Sequence, residues 1–547
     1  MKTIQYIFSW TFLTLLLVGC SNFTNMNINP NQPDDSYAYD FNIPKLVTQF
    51  RAVQFMDGDK EQRIKSLGVD YWSQVIEDAG GWSTKNYVPN DSWNSGWYWT
   101  PQMSWISTLN TVISQGIKNP DRVNSVAVAR IWRVYTQSRA CDYFGPMPSP
   151  SWQNPVDNPP YVSVQDQYTE FFSELDAAVK MIDPSKPFMS KYEDLIFGGN
   201  VMEWVKFANS LRLRLALRVS EVDPALCKTQ AQAAINGGVM DSPSDDARIP
   251  VAANGWGQYY NYTMFFISWG DIPNMTSSME KLMTNLGGIP WPADVAAVSH
   301  PAYVDPRGPV IYDPGTQGWK GMPPGIAANQ SNTGTYAGSY YSQLGKFILG
   351  VAGALNDHRP YDVMLYDEVC FLKAEAAARG FVTGVNAQTE YENGIRACMQ
   401  RYNIAGDVVN NYLTSTSKNL AGTSVSYTDA NGPGNTVLEK IITQKYIACV
   451  PDVSFEGWND KRRLNLPRFD PLQYRDPAVY QGLPNVFNDP RSFVKRMPYP
   501  SSEAMVNKTE YAKGVQILST ESGNSGTDVS STKLWWDKNA NYCTSAN

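Results

Sequence analysis

The chain has 547 residues, with 45 basic and 52 acidic side chains and a formal net charge of −7. This acidic balance argues against a nucleic-acid-binding protein, which would show a basic field, and the apolar content of 43% excludes a wholly disordered chain. Only two histidines occur, His300 and His358, so histidine-rich zinc sites and Ser–His or Cys–His relays have little to draw on. Aromatic residues, in contrast, make up 13% of the chain and include 17 tryptophans.

The first twenty residues are typical of a bacterial lipoprotein signal peptide. Lys2 gives a short positive start, and the apolar run that follows is about fifteen residues long, shorter than the roughly 20 that a membrane-spanning helix needs. The run ends in Leu17-Val18-Gly19-Cys20, which is similar to the lipoprotein box whose cysteine is lipidated and becomes the mature N-terminus. The alternative is an ordinary signal peptide followed by a cysteine by chance. We predict that residues 1–20 are the lipoprotein signal peptide. We also predict that Cys20 is the lipid attachment site and that palmitate is among the attached acyl chains.

The next long part of the chain, about 46–235, has mainly helical patterning. The clearest helix is predicted from Val201 to Val219, because apolar residues recur there at 3, 4, 7 and 11 steps from Trp204. The following region, about 240–360, is dense in Gly, Pro, Asn, Ser and Tyr, and so is 461–547. Both regions are predicted to be long loops packed on a helical scaffold, since aromatic residues are too frequent in them for disordered linkers.

A second helical block is predicted at about 360–460. One helix is expected from Val363 to Arg379 with Gly380 as its stop, and apolar residues through Tyr391 and Tyr402 mark its partner in a helix hairpin. A further helix is predicted from Thr436 to Cys449. Such hairpins stack into solenoids, although the sequence shows no clean repeat of about 34 residues. We therefore expect a single body over 21–547, mainly α, with a loop-rich face.

The six cysteines after Cys20 form no C-x-x-C pair, which argues against a zinc ribbon. Cys370, Cys398 and Cys449 fall on apolar helical stripes and are predicted to be buried free thiols. An occasional disulfide is the alternative in an exported protein. No cofactor is predicted, and the sequence leaves a structural Ca²⁺ open.

Standard catalytic signatures are missing from the sequence, among them H-E-x-x-H, the phosphate-binding G-x-x-x-x-G-K-[ST] and the G-x-S-x-G elbow. The carboxylate pairs of glycoside hydrolases have no fixed sequence spacing, so a glycoside hydrolase stays open as a minor alternative. We predict that the protein is not an enzyme.

Aromatic residues cluster in two segments. Residues 71–105 contain six tryptophans, and 256–269 contain seven aromatic residues. A flat side chain can stack on the apolar C–H face of a sugar, with about 0.5–1.5 kcal/mol for each contact by analogy with ring pairs. Trp72 and Trp105 follow helical patterns and are predicted to be core residues, whereas aromatic residues among Gly, Asn and Ser are candidates for ligand contact. These candidates, each with core packing as its alternative, are Trp82, Trp93, Trp97, Trp256, Tyr259 and Trp319.

Several segments, spread over nearly the whole mature chain, together resemble the SusD/RagB family of nutrient-binding lipoproteins, in particular its SusD-like, starch-binding-associated branch. In chain order they are Asn27-Ile28-Asn29-Pro30-Asn31, Asp194 to Gly199 with Trp204 and Phe207 to Arg214, Tyr366 to Ala377, Gln444-Lys445-Tyr446, Glu456-Gly457-Trp458 with Arg462-Arg463, Pro498-Tyr499-Pro500 with Glu503 and Asn507, and Trp535-Trp536-Asp537. Each motif is weak alone, and their joint occurrence in this order is specific.

The resemblance implies a mainly α fold of tetratricopeptide-like helix pairs with a large, loop-rich irregular face. It also implies an outer-membrane lipoprotein that faces the cell exterior and acts as a hinged lid on a SusC-like TonB-dependent barrel. Family members at the cell surface often carry acids after the lipid cysteine, whereas Ser21-Asn22-Phe23 follows here. The implied ligand is an oligosaccharide, with an oligopeptide as the close alternative and a ligand-free barrel plug as a third.

Most of the resembling motifs are predicted to serve the scaffold. Glu456, Arg462 and Arg463 are expected to form a charged network that pins the helices to the C-terminal loops. Asn209 is expected to bond backbone where two helices meet, and the neighbouring arginines to find carboxylates.

Overall fold

The protein is described by a computed structural model that covers residues 62–78, 80–154, 156, 158–249, 272–327, 329–349, 360–474, 493–523 and 528–538. Helices dominate these ranges. The longer α-helices are α1 Thr100–Gly116, α2 Val123–Phe144, α3 Val164–Met181, α4 Val201–Arg218, α5 Pro224–Gly237, α6 Ser277–Met283, α7 Tyr366–Ala378, α8 Ala387–Arg401, α9 Gly406–Leu413, α10 Val437–Ala448, α11 Ser454–Leu464, α12 Ser501–Val506 and α13 Lys508–Ser522. Single α turns lie at Asp70–Trp72, Asp91–Trp93, Gly308–Ile311 and Lys346–Leu349. Wider π-helical turns lie at Gln62–Val69 and Asn94–Trp99, and 3₁₀ turns at Ser83–Asn86, Pro120–Arg122, Pro243–Asp245, Gly334–Tyr336, Gly338–Tyr340 and Tyr427–Asp429.

Strands are short and pair antiparallel. Those in the described ranges are β1 Ile76–Glu77, β2 Met147–Pro148, β3 Tyr161–Val162, β4 Ala247–Ile249, β5 Asn274–Met275, β6 Thr284–Pro290, β7 Tyr303–Val304, β8 Tyr312–Asp313, β9 Gln343–Leu344 and β10 Tyr361–Met364. The largest sheet has the order β1-β5-β9-β8, with Ile76 opposite Met275 and Tyr312 opposite Leu344. The pairs β4–β10, β2–β3 and β6–β7 stand apart from it. Through β1, the four-stranded sheet joins the loop-rich region after 272 to the N-terminal helices.

The helix predicted from Val201 to Val219 is confirmed as α4. Asn200 caps its first turn through its side-chain oxygen, and the predicted apolar stripe is buried. Asn209 donates to the carbonyl oxygens of Gly237 at 2.7 Å and Gly238 at 3.0 Å, where α4 meets the end of α5. A Cβ on Gly237 would lie 2.8 Å from the Asn209 amide. The predicted backbone bond of Asn209 is therefore confirmed, and it depends on glycine at the partner position.

The predicted helix hairpin of the second block is confirmed in α7 and α8, which pack along each other. The first helix begins later than expected, because Tyr361–Met364 pairs with β4 as a strand before the chain turns into α7. Gly380 has φ +73° and ends that helix as predicted. Gly394 of α8 faces Phe371 of α7 so closely that a Cβ would lie 2.7 Å from the ring. The small residue lets the two helices approach.

The helix predicted from Thr436 to Cys449 is α10, and its start has a reciprocal cap. The Thr436 hydroxyl accepts the N–H of Glu439 at 3.2 Å, and the Glu439 carboxylate accepts the N–H of Thr436 at 2.9 Å. The helix packs on α7 and leads into α11. These contacts place the charged residues of α11 inside the scaffold.

A buried ionic network confirms the role predicted for the α11 motif. Glu456 pairs with Arg218 at 2.7 Å, and Arg463 donates twice to Glu375, at 2.6 Å each. Arg462 donates to the carbonyl oxygens of Asp142 and Lys495, at 2.7 Å each. Charges at such depth are tolerated only when they are paired and hydrogen-bonded. The network thus ties α2, α4, α7 and the segment after 493 to one helix.

The neighbouring arginines of α4 also find acceptors, as predicted. Arg214 donates twice to Glu368, at 2.7 Å each, and Arg212 donates to Asp176 at 3.3 Å and to Gln230 at 2.8 Å. Together these bonds link α4 to α3, α5 and α7.

The prediction of loops over 461–547 is wrong for one stretch, because α12 and α13 lie there. The signal for α13 is present in the sequence: Tyr511, Val515 and Leu518 are spaced as one helical stripe, and they pack on the core. Because turn-forming residues are dense on both sides of this stripe, the composition of the whole region predicts a loop.

One hydrophobic cluster runs through the described chain from Ile64 to Trp536. Trp72 and Trp105 belong to it, as predicted. The five cysteines that the structure describes are buried free thiols, which confirms the prediction for Cys370, Cys398 and Cys449. No helix in the described ranges is long and apolar enough to cross a bilayer.

Candidate functional site

Two of the predicted tryptophans lie on a short helical segment that leads into α1. Asn90 begins it by accepting the N–H of Trp93 at 3.1 Å with its side-chain oxygen. One α turn, Asp91–Trp93, is followed by the π-helical turn Asn94–Trp99. Such widened turns are frequent at functional sites. The segment therefore joins one α turn to one π-helical turn, and Trp93 and Trp97 lie on it four residues apart.

One side of this segment is docked on the C-terminal part of the chain through three contacts. Asp91 accepts the N–H and hydroxyl of Ser501 at 2.8 and 2.6 Å. Four residues on, Ser95 lies 3.3 Å from the hydroxyl of Ser502, and after four more the Trp99 indole donates to Glu503 at 3.0 Å. We call these three pairs the clamp. It uses the side of the segment that bears residues 91, 95 and 99.

The tryptophans at positions 93 and 97 lie between the clamp residues and are half-buried. The Trp93 ring lies 5.7 Å from the ring of Trp82, with an angle of 47° between the planes. The guanidinium of Arg63 lies 4.1 Å from the centre of the Trp97 ring, in a cation–π contact. We call Trp82, Trp93 and Trp97 the tryptophan face. The structure thus brings three of the predicted ligand contacts into one neighbourhood.

Trp82 reaches the face from a separately anchored loop. Lys85, fully buried, donates to the carbonyl oxygens of Asp78 and Gly80 at 3.0 and 2.6 Å and to the hydroxyl of Ser331 at 3.1 Å. A Cβ on Gly80 would lie 3.0 Å from the Trp82 ring, so the backbone passes close beneath the indole. The Lys85 bonds fix the loop without using the ring itself.

A second anchor of this loop involves the chain near 325 and 474. Asn86 donates to the carbonyl oxygens of Gly325 and Tyr474, at 2.9 Å each. Glu77 accepts the N–H of Gly325 at 2.9 Å. Burial raises the pKa of Glu77, and the charge of Lys85 at 3.7 Å opposes that rise. These buried polar groups hold the loop of Trp82 on the rest of the protein and so fix the position of its ring in the tryptophan face.

The structure places Trp319 elsewhere. It is 6% exposed, its indole N–H donates to the hydroxyl of Thr284 at 3.0 Å, and its ring packs on Trp291 and Tyr312. A Cβ on Gly308 would lie 2.8 Å from the ring. Trp319 is therefore packed in the core, which was the alternative to ligand contact in the sequence analysis. It does not belong to the tryptophan face.

The other predicted site residues, Cys20, Trp256 and Tyr259, lie outside the described residues. Sequence reasoning missed the clamp residues, although Glu503 stands in a motif that carried the family resemblance. Within the described ranges no group of three His, Cys, Asp or Glu side chains is arranged to hold a metal ion. What the described site offers is ring surface, which suits stacking on a ligand with an apolar face.

Comparison with known proteins agrees with this architecture. The family model described as SusD-like, SusD and RagB outer membrane lipoprotein, matches residues 24–537. The chain belongs to the SusD/RagB family. A SusD homologue from Parabacteroides distasonis is 48% identical in sequence, with a TM-score of 0.86, and the match covers 92% of this chain and 99% of that one. The comparison with curated proteins finds no match.

Two more distant SusD homologues have the same fold. A chitin-binding homologue from Flavobacterium johnsoniae is 26% identical, with a TM-score of 0.73 over 92% of this chain and 99% of that one. A homologue from Bacteroides vulgatus is 24% identical, with a TM-score of 0.72 over 88% and 93% of the two chains. The SusD-like fold class, mainly helical with tetratricopeptide-like pairs and a loop-rich face, is thereby confirmed.

Proposed function

We propose that this SusD-family chain is a cell-surface lipoprotein that captures an oligosaccharide and delivers it to a SusC-like TonB-dependent transporter. The observation that carries the proposal is the tryptophan face, where the rings of Trp82, on an anchored loop, and Trp93, on the anchored helical segment, lie 5.7 Å apart. Its support is the family, described as outer membrane lipoproteins, and the chitin-binding homologue at 26% identity.

The proposed action is capture without catalysis. A sugar ring would stack its C–H face on the indoles, while nearby amides and hydroxyls would bond its hydroxyl groups. A ligand held between this protein and the barrel would favour the closed lid in proportion to its higher affinity for that state. Transport would then empty the site.

Ligand binding is tested with glycans on the purified mature chain. We expect wild-type protein to bind an oligosaccharide from a panel led by chitooligosaccharides, by isothermal titration calorimetry. Trp82→Ala should weaken binding by roughly 2- to 10-fold, because one stacking contact of about 0.5–1.5 kcal/mol is lost. Trp152→Ala is the matched control, since Trp152 is also a half-buried loop tryptophan but packs under Arg130.

Three outcomes would contradict the proposal. Wild-type protein that binds oligopeptides and no glycan would point to the alternative ligand. An equal loss of glycan affinity in Trp82→Ala and Trp152→Ala would show that the tryptophan face has no specific role in binding. Turnover of any glycan in the panel would place the chain among hydrolases.

The lipid anchor is proposed at Cys20, because the sequence before it matches the lipoprotein box. We expect Cys20→Ser to move the protein from the outer-membrane fraction to the soluble fraction and to abolish labelling by a palmitate analogue, since acyl chains hold such proteins on the bilayer. Ser21→Ala is the control and should stay membrane-bound and labelled. A Cys20→Ser protein that is still labelled would place the lipid elsewhere.

A further inference from the structure

The clamp joins parts of the chain that are far apart in sequence. Asp91 and Ser501 are 410 residues apart, Ser95 and Ser502 are 407, and Trp99 and Glu503 are 404. On the tryptophan-bearing segment the contacts recur at every fourth residue, whereas on the C-terminal side they fall on three consecutive residues. This order fixes both the rotation and the position of the tryptophan-bearing segment along the start of α12.

The clamp is firmest at its inner end and most exposed at its outer end. Glu503 accepts both the Trp99 indole at 3.0 Å and the Tyr161 hydroxyl at 3.1 Å, in a partly buried setting. Asp91 and Ser501 are exposed. A change at Asp91 can therefore free the outer end of the segment while the inner end stays docked and the core stays intact.

The freed end carries the ring that meets Trp82. Trp93 is two residues from Asp91, and its 5.7 Å contact with Trp82 is the junction between the helical segment and the separately anchored loop of Trp82. The loop of Trp82 is held by Lys85 and Asn86, whose hydrogen bonds go to residues other than Asp91 and Ser501. The Trp93 side of this junction is held by the Asn90 side chain, which accepts the Trp93 N–H at 3.1 Å, and by Tyr143, which donates to Asn94 at 3.0 Å. The clamp holds it as well, and its Asp91–Ser501 pair is exposed.

We propose that Asp91, acting through Ser501, is a positioning residue that pre-orients Trp93 for ligand. This inference rests on the proposed function, since it concerns affinity at the tryptophan face. The carboxylate does not touch the ligand; it holds the segment in the binding arrangement before the ligand arrives. A site that is ordered only part of the time binds with an affinity reduced by that fraction.

The test measures stability and affinity on the same variants. Asp91→Ala should bind chitohexaose, or the panel glycan that wild type binds best, about 3- to 10-fold more weakly. Its thermal midpoint should stay unchanged, because exposed ion-dipole contacts add little to global stability. Asp91→Asn keeps one acceptor oxygen and should recover part of the affinity.

The matched control is Asp183→Ala. Asp183 accepts the N–H and hydroxyl of Ser185 at 2.9 and 2.7 Å, which is the chemistry of the Asp91–Ser501 pair at a place away from the tryptophans. This variant should bind like wild type. The double variant Asp91→Ala/Ser501→Ala should bind the glycan no more weakly than Asp91→Ala alone, because the two substitutions remove the same contact.

A ligand-free measurement separates this inference from the proposed function. Amide hydrogen exchange in residues 92–95 should be about tenfold faster in Asp91→Ala than in wild type, as expected for the loss of about 1.4 kcal/mol of local stability. If wild type binds no glycan, the proposed function fails, and faster exchange would still support the positioning role. The inference would be overturned if Asp91→Ala exchanged its amides as slowly as wild type. It would also be overturned if wild type bound a glycan and Asp91→Ala bound it with the same affinity.

Discussion

Replacing Glu375 by Gln is expected to lower the free energy of unfolding by about 3–5 kcal/mol. The side chain is fully buried and accepts two bonds of 2.6 Å from Arg463 and one of 3.0 Å from Arg379. Glutamine fits the space but carries no charge, so the buried guanidinium of Arg463 would keep only Asp460 as an ionic partner. Urea unfolding at pH 7, followed by tryptophan fluorescence, measures the loss.

The effect of this change depends on pH, with a sign that follows from the pKa. Burial alone would raise the pKa of Glu375, but the charges of Arg463 and Arg379 outweigh it and hold the pKa at about 2, below the ordinary 4.5. The stabilisation is therefore complete above about pH 4.5 and is lost as the pH falls towards 2. We expect the gap between wild type and Glu375→Gln to shrink over that range.

Asp121→Asn is the control for this prediction. Asp121 pairs with Lys186 at 3.0 Å, with both side chains exposed, and such pairs contribute about 0–1 kcal/mol. A loss below about 1 kcal/mol in Glu375→Gln, equal to that of the control, would show that the buried network adds no more than a surface pair.

Replacing Trp536 by Ala is expected to cost about 3–5 kcal/mol. The ring is fully buried, and the Arg462 guanidinium lies over this ring and over that of Trp458, at 4.6 and 3.4 Å from the two ring centres. Its indole N–H donates to Asp142 at 3.1 Å. Removal of the ring would leave a cavity beside a buried cation and would take one donor from a buried carboxylate.

Trp536→Phe separates these contributions in part, because phenylalanine keeps a six-membered ring near Arg462 and loses the indole N–H donor together with the pyrrole ring. We expect it to cost about 1–3 kcal/mol, less than the alanine variant. Denaturant midpoints of both variants measure the two losses. Equal losses would mean that the six-membered ring adds nothing and that the pyrrole ring, with its hydrogen bond to Asp142, accounts for the effect of the tryptophan.

The helical scaffold follows from the sequence because local rules and burial agree there. Apolar residues of α4 recur at helical spacing, Thr436 and Glu439 form a cap within four residues, and Gly380 ends its helix by a conformation that glycine adopts freely. These signals lie within one or two turns, so one sequence is enough to recognise them.

The candidate site follows only in part, because its geometry depends on distant contacts. The tryptophans near 82–97 stand out by composition, but their arrangement depends on Ser501 and Glu503, about 400 residues away. Trp319 lies among Gly and Lys as a surface residue would, yet Trp291 and Tyr312 enclose it. Local composition cannot distinguish a loop that faces solvent from one that folds over a ring.

The bond between Trp536 and Asp142 also bears on the order in which the molecule can be completed. The two residues are 394 positions apart, and Asp142 already has Tyr168 as a nearby donor at 2.6 Å. The N-terminal helices can form and pack while the place of the indole stays empty. The last part of the core therefore closes only when the C-terminal segment docks, so a contact of very large sequence separation completes the packing late.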